Sequence, residues 1–397
     1  MRCYLAVPPL VVALLLALAL AAQAAPFTPA RDSDVVERLP LASDPSVRRV
    51  ESLRKQLAAR PGDAALRVDI AQRYFDLAMA QGDPRFVGYA SAAIAPLAAN
   101  PGDNADYWLV RGLIQQFSHD FEGALTSLAK ASQLDPRAPA ALSWRAAIFM
   151  VQARYTEALA ECERLAPLAE PLLGAGCSAY ARSMKGQLQP AFQDLGNAVK
   201  AAPQAAPPLL LWQYTRLAEM AWRLQRHALA ESHFKNALAL GITDQFLLGA
   251  YADFLLAQQR PGEVLTLLAG WERSDILLLR LALAGRATGD ARTGEWTAQL
   301  RDRFQAAAQR GDRLHEQEAA RFELDLERNG AKALELAARN YEVQKEPRDA
   351  EILMRAALAA GQAKAAQAAL DWLRSSGYQD PMLSQLANQL AAQGASR

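Results

Sequence analysis

The sequence predicts an all-α protein built as a linear array of antiparallel helix pairs. Ala, Leu, Gln, Arg and Glu dominate the chain, and runs of β-branched residues with a period of two do not occur. Small and apolar residues recur at steps of about 34 residues, a period at which repeat proteins stack one helical unit on the next. The 51% hydrophobic content suits burial between neighbouring units, with no separate domain that needs its own core.

The recurring feature is a small or apolar lead residue with side chains of the same kind at i+4 and i+7. It occurs at Ala90/Ile94/Leu97, Ala124/Leu128/Ala131, Ala158/Cys162/Leu165, Ala191/Leu195/Ala198, Ala230/Phe234/Ala237, Val264/Leu268/Trp271, Ala333/Ala337/Asn340 and Ala366/Leu370/Leu373. The step from Ala191 to Ala230 is longer than the others because it contains the insertion AAPQAAPP, which ends at Pro208. The step from Val264 to Ala333 spans two periods and predicts a divergent unit whose second helix contains Gly294 and Trp296.

The clearest unit is residues 105–138, which read as two amphipathic helices joined by a short polar turn. Its key positions are Trp108, Gly112, Ala124, Leu128, Ala131 and Pro136. This spacing resembles the tetratricopeptide repeat, although Arg111 and Gln115 stand where Leu and Tyr are usual. The resemblance implies a right-handed superhelical α-solenoid of antiparallel helix pairs, in which the small residues allow two helix backbones to approach closely.

Residues 1–24 have the pattern of a secretory signal peptide. An early Arg2 precedes a long apolar run, and the stretch ends with the small-x-small sequence Ala22-Gln23-Ala24. We expect cleavage after Ala24. The alternative is an uncleaved inner-membrane anchor, because the apolar run approaches the length of a bilayer span.

The remaining chain divides by its turn signals. Residues 25–43 have no clear period and several prolines, which predicts an extended linker. A leading helix is expected over 44–60, since Asp44-Pro45 provides an N-cap and a proline at the first helical position. About eight to nine tetratricopeptide-like repeats follow over 61–378. Residues 379–397 predict a C-terminal capping helix and tail, with polar residues on the side that no further repeat covers.

No motif for catalysis or cofactor binding stands out. The sequence has no phosphate-binding loop, dinucleotide motif or nucleophile elbow. The four histidines (119, 227, 233 and 315) lack metal-ligand spacing, and we expect them to be exposed polar residues. We therefore expect no catalytic residue, no metal and no cofactor, and conclude that the chain is not an enzyme.

The charge balance bears on the partner. The chain has 43 basic and 42 acidic residues, and removal of Arg2 with the signal peptide makes the numbers equal. Such a balance argues against a nucleic-acid partner, which requires a basic surface. No membrane span is expected in the mature chain, because Arg280 and Gly285 interrupt the most apolar later stretch.

Two cysteines, Cys162 and Cys177, follow the signal peptide. They fall in the second helix of one predicted repeat and the first helix of the next, which are neighbours in a stack. An exported protein meets an oxidising compartment, so a disulfide between them is a candidate. Two buried, unbonded cysteines remain the alternative.

The resemblance implies that the first helix of each pair lines a concave groove that binds a peptide or a partner's helix. In the helix that starts near Leu211, Trp212, Glu219, Trp222 and Arg223 share one face, with Thr215 between them. The candidate partner-binding residues are Phe117, Met150, Tyr180, Met184, Trp212, Glu219, Trp222, Arg223 and Phe246. Packing between repeats is the alternative role for the aromatic residues among them.

These observations predict an exported tetratricopeptide repeat scaffold, periplasmic or secreted, that binds a protein or peptide partner in its concave groove. The alternative is an accessory subunit of an envelope assembly, for secretion, polysaccharide export or metalloenzyme maturation. Such a subunit would dock through its outer surface.

Overall fold

The computed structural model describes Arg31 and residues 45–395. The predicted signal peptide, and the predicted linker apart from Arg31, lie outside the described residues. Within residues 45–395 the chain forms twenty α-helices. They are α1 (Pro45–Ala59), α2 (Ala64–Gln81), α3 (Arg85–Ile94), α4 (Ala105–Phe117), α5 (Phe121–Leu134), α6 (Pro139–Val151), α7 (Tyr155–Leu165), α8 (Pro171–Ser183), α9 (Leu188–Ala201), α10 (Pro207–Arg223), α11 (His227–Leu238), α12 (Gln245–Ala257), α13 (Pro261–Leu267), α14 (Asp275–Thr288), α15 (Thr293–Gln309), α16 (Glu316–Asp325), α17 (Gly330–Val343), α18 (Pro347–Ala359), α19 (Gln367–Ser376) and α20 (Pro381–Ala395).

Helices α2 to α19 form nine consecutive pairs, α2/α3 to α18/α19, and the two helices of a pair pack on each other. The predicted all-α solenoid is confirmed. Every lead residue of the recurring feature lies at a helix contact with no exposed surface, namely Ala90, Ala124, Ala158, Ala191, Ala230, Val264, Ala333 and Ala366. A small side chain there permits the close approach of the helices.

Gly112 shows how closely the helices of a pair approach. A Cβ atom built on Gly112 would lie 2.7 Å from Cγ of Leu128, nearer than carbon atoms pack. Leu128 itself is fully buried and fills the space that the glycine leaves. The glycine in α4 and the leucine in α5 are therefore a matched pair, as the spacing predicted.

The divergent unit is pair 7, α14/α15. Its second helix contains Gly294 and Trp296, and Trp296 is only 2% exposed. A Cβ built on Gly285 would lie 2.9 Å from the Trp296 ring. A large indole therefore fills the contact that small lead residues form elsewhere, and this is why the recurring feature is absent from the pair.

The buried apolar residues form distinct cores along the array. One core runs through pairs 4 to 7, from Leu172 to Leu300, and adds Phe322 of α16. A second core belongs to pairs 8 and 9 and to α20, and it also contains Tyr155 of α7 and Met184, which follows α8. The last pairs therefore pack onto pairs 3 and 4 as well as onto their sequence neighbour.

Candidate functional site

The candidate site lies on three first helices, α8, α10 and α12. We name the side of these helices that carries Tyr180, Glu219 and Asp253 the inner face. The three residues are at the equivalent position of consecutive pairs, so the repeat period places them side by side. The groove residues predicted from the sequence are mostly apolar or aromatic. The inner face is instead rich in paired charges.

Arg216 organises one half of the inner face. Its guanidinium carbon lies 3.8 Å from the ring centre of Tyr180 and 5.4 Å from that of Trp212. The same group donates to the Tyr180 hydroxyl at 2.9 Å and to the Glu219 carboxylate at 2.8 Å. Burial alone would lower the pKa of Arg216, but Tyr180 and Glu219 offset it and raise that pKa above its usual value.

Sequence analysis did not select Arg216, although the signal was present. Trp212, Arg216 and Glu219 follow the spacing i, i+4, i+7 and so share one helical face. The predicted stripe used Thr215 in place of Arg216. Thr215 is only 8% exposed, and its hydroxyl donates to the Leu211 carbonyl at 2.8 Å within α10.

Asp253 organises the other half. It accepts from Arg280 at 2.6 Å and from Arg321 at 2.8 Å, and Arg348 lies 3.8 Å away. Burial would raise the pKa of Asp253, but the charges of these three guanidinium groups hold it well below its usual range. The cluster joins α12, α14, α16 and α18, and so links four pairs through one carboxylate.

The nine predicted residues fall into three groups by exposure. Trp212 and Phe246 are exposed, at 44% and 45%. Met184 is buried, at 4%. The other six are partly exposed: Phe117, Met150, Tyr180, Glu219, Trp222 and Arg223.

The two tryptophans of α10 have different surroundings. Trp222 meets Phe254 of α12 edge to face, with ring centres 5.6 Å apart, and packs against the core of pairs 4 to 7. Packing between repeats, the alternative considered for these aromatics, therefore describes Trp222. Trp212 keeps nearly half of its surface exposed. The first helix of the next pair carries another exposed aromatic residue, Phe246.

Several predicted groove residues contact later parts of the same chain. Arg223 donates to the carbonyl oxygens of Ser183 at 2.7 Å and Gln379 at 3.1 Å, and its guanidinium carbon lies 3.8 Å from the ring centre of Tyr378. Met150 and Tyr180 pack against the core of pairs 8 and 9, which Met184 joins. Part of the predicted groove is thus covered by the C-terminal pairs. Sequence reasoning had no signal for this cover, since the partners lie far away in the chain.

Cys162 and Cys177 are paired as a disulfide that joins α7 to α8, with Cα atoms 5.5 Å apart. That Cα separation is within the usual range for a disulfide. The bond links pair 3 to pair 4 next to the surface that the C-terminal pairs cover.

The histidines are not fully exposed, contrary to the sequence prediction, and all four are partly buried. His119 and His315 come from distant turns that meet. Burial, followed by the nearby charge of His315, lowers the pKa of His119 to about 4. Burial opposes protonation of His315, but the carboxylate of Glu318 raises its pKa above the usual value. The pKa values of the two imidazoles are therefore shifted in opposite directions.

Over the described stretch 45–395, none of the helices is both long enough and apolar enough to cross a membrane. A search of the same residues found no group of three or more His, Cys, Asp and Glu side chains able to hold a metal ion.

Comparisons with known proteins find similarity at the level of fold. No protein-family model matches the chain, and no curated protein matches it. Among solved structures, similarity is found to a Rap protein complexed with competence and sporulation factor, at 14% identity and a TM-score of 0.46, covering 88% of this chain and 99% of that one. A tetratricopeptide repeat protein from Parabacteroides merdae shows 14% identity and a TM-score of 0.43, covering 64% of this chain and 91% of that one. Similarity to the Cut9–Hcn1 hetero-tetramer, at 14% identity and a TM-score of 0.41, covers 87% of this chain and about half (52%) of that one.

The chain's own repeats carry its resemblance to the tetratricopeptide repeat. Their period is about 34 residues, each forms an antiparallel helix pair, and small buried residues recur where the two helices meet. The described residues therefore have the fold of a tetratricopeptide-like array, an all-α solenoid of helix pairs.

Proposed function

We propose that the protein is an exported scaffold that binds a protein or peptide partner, with Trp212 and Phe246 as the anchors. The observation that carries this proposal is the exposure of two large aromatic side chains on contacting first helices, α10 and α12. Exposed aromatics on the binding side of a repeat array are typical hot spots, because each buries a large area in a complex at a small cost in conformational entropy. Arg216, which lies against Trp212, adds a guanidinium for a polar group of the partner.

Substitution tests the anchors. We expect Trp212→Ala and Phe246→Ala each to weaken capture of the partner from an envelope fraction by about 2 kcal/mol, while the melting temperature stays close to that of the wild type. Leu229→Ala is the matched control, since Leu229 is an exposed apolar residue on the second helix of the pair that carries Trp212. Full capture by both aromatic variants would contradict the proposal. Loss of capture with Leu229→Ala alone would favour docking through the outer surface, as expected of an accessory subunit of an envelope assembly.

Export is the second part of the proposal. It is supported by the signal-peptide pattern and by the disulfide between Cys162 and Cys177, a bond that persists in oxidising compartments. The intact mass of protein isolated from the envelope should correspond to a chain that begins at Ala25. A firmly membrane-bound protein that still begins at Met1 would favour the anchor.

A further inference from the structure

Residues 316–395 form a C-terminal module, most of whose buried apolar side chains belong to one core. This module comprises α16 to α20, and its buried side chains include Met354 and Leu383. Tyr155 and Met184, which belong to pairs 3 and 4, complete the same core. The module therefore buries its apolar surface against pairs 3 and 4, which lie far before it in the chain.

The junction between pair 7 and the module differs from the other junctions along the array. Elsewhere the second helix of one pair packs along the first helix of the next, whereas α15 and α16 approach each other only sparsely. They are linked through side chains, with the rings of Phe304 and Phe322 5.5 Å apart and Arg301 paired to Glu327 at 2.7 Å. The connecting segment 310–315 contains Gly311 in the left-handed region, at φ 70°. We take this junction as the hinge, because only the first helices α14 and α16 pack on each other there, with Phe322 anchored in the core of pairs 4 to 7.

Opposite the hinge, the module closes onto pairs 3 to 5 through the apolar side chains of Tyr155 and Met184 and through individual polar contacts. The indole N–H of Trp372 donates to the Tyr155 hydroxyl at 2.9 Å, and the backbone N–H of Lys345 donates to the Val151 carbonyl at 2.8 Å. Gln379 accepts from the backbone N–H of Leu188 at 3.0 Å. Each polar contact has a modest net free energy. Among the residues of pairs 3 to 5, only Tyr155 and Met184 are buried members of the module's core, and no helix of these pairs packs along a helix of the module.

Two glycines mark the point of closest approach at this edge. A Cβ atom built on Gly186 would lie 3.2 Å from the Gly377 carbonyl oxygen, and one built on Gly377 would lie 3.7 Å from Cα of Gly186. Two backbones meet at this point without side chains between them, so the apolar contact that opening breaks is the one that the module makes with Tyr155 and Met184.

We propose that pairs 3 to 5 carry a docking surface whose resident occupant is the C-terminal module itself, and that the module opens as a lid about the 310–315 hinge. Opening uncovers Met150, Tyr180, Met184 and Arg223, all of them predicted groove residues that the module contacts in the closed protein. Arg321 lies on α16, the first helix after the hinge, and pairs with Asp253 of α12. This pair remains in contact when the module opens and serves as the pivot. The proposal goes beyond the exposed anchors of the proposed function, because it adds a second surface that is available only after opening.

The experiment measures opening without any partner, by hydrogen–deuterium exchange of the full mature protein. Arg223→Ala removes the contacts to Gln379 and Tyr378. We expect faster exchange at two separated places, residues 150–188 and residues 345–380, with no change in pairs 6 and 7. Arg226→Ala is the matched control, since Arg226 donates to Gln189 and so links α9 to the turn between α10 and α11. It should leave both places unchanged.

A locked variant tests whether exchange slows when the module is held closed. The Cβ-to-Cα distances of 3.7 and 3.8 Å at the glycine contact bring the thiols of Gly186→Cys and Gly377→Cys close together for oxidation. Both positions have positive φ, and the serine pair carries the same backbone strain as the cysteine pair. Compared with Gly186→Ser/Gly377→Ser, the oxidised lock should slow exchange at both places. Exchange that rises only next to residue 223, or uniformly along the chain in Arg223→Ala, would overturn the lid, and so would equal exchange in the locked and serine variants. Because these readings involve no partner, they stand apart from the capture test of Trp212 and Phe246.

Discussion

Trp372 donates its indole N–H to the hydroxyl of Tyr155 at 2.9 Å, across 217 positions of sequence. Both side chains are buried, at 8% and 6% exposure, so neither polar group has water as a ready alternative partner. The bond connects pair 9 to pair 3, two pairs that are not neighbours along the array.

A double-mutant cycle measures this contact. Tyr155→Phe leaves a buried N–H without an acceptor and should lower the free energy of unfolding by about 1–3 kcal/mol. Trp372→Phe should lower it further, since ring volume is lost as well. The double variant should be less destabilised than the sum of the two, by about 0.5–1.5 kcal/mol. Denaturant unfolding gives all four values, and strict additivity would show that the bond contributes nothing.

Removal of the Asp253 carboxylate should be among the most destabilising polar substitutions in the chain. Asp253→Asn keeps the shape but leaves Arg280, a guanidinium with 1% exposure, without its counter-ion. Loss of one partner of a buried ion pair typically costs about 3–5 kcal/mol. Asp194→Asn is the control, because Asp194 is 57% exposed where it pairs with Arg182, and its loss should cost less than about 1 kcal/mol. Equal effects of the two variants on the urea midpoint would contradict this ranking.

Asp349 should make the protein less stable as the pH rises. Burial, followed by the nearby Glu346, raises the pKa of Asp349 to about 7, although Asn340 and the backbone N–H of residue 346 donate to it. At pH values between the usual aspartate pKa and about 7, Asp349 is protonated in the folded protein and ionised in the unfolded chain. This contribution to stability is therefore present at acidic pH and is lost as the pH rises through about 7.

The measurement is the free energy of unfolding at pH 5 and pH 8. Asp349→Asn should reduce the difference between the two values, because an amide does not ionise. Asp106→Asn, an exposed first-turn aspartate of α4, should leave the difference unchanged. A wild-type protein that gains stability from pH 5 to pH 8, with the gain lost in Asp349→Asn, would reverse the predicted sign.

The repeats of the array allowed the helix pairs to be predicted, whereas the closure could not be predicted. Ala124 and Leu128 report a contact between adjacent helices, which one period of sequence determines. Tyr155 and Trp372 meet only because small rotations accumulate over six further pairs, and no residue spacing records that sum. Trp212 and Trp222 illustrate the same limit within one helix, since one is exposed and the other packs on Phe254 of the next pair.

The disulfide is tested by its chemistry and by its effect on stability. In the purified mature protein, thiol alkylation under denaturing conditions without reductant should label neither Cys162 nor Cys177, and reductant should allow both to be labelled. Cross-linking a loop of this length, with a sequence separation of 15, stabilises a fold by about 3 kcal/mol through the entropy of the unfolded chain. Cys162→Ala/Cys177→Ala should therefore unfold at lower denaturant concentration. Two labels without reductant would show that the bond is absent.

The approach of Gly186 to Gly377 constrains how this chain changes length in evolution. Repeat proteins ordinarily gain or lose units by duplication or deletion, since an open array tolerates either. Here an added or missing pair between α9 and α19 would rotate Gly377 away from Gly186 and part Trp372 from Tyr155 at the same time. The number of units between the two glycines is therefore fixed by geometry, and length variation among descendants of this sequence should be confined to the segments outside them.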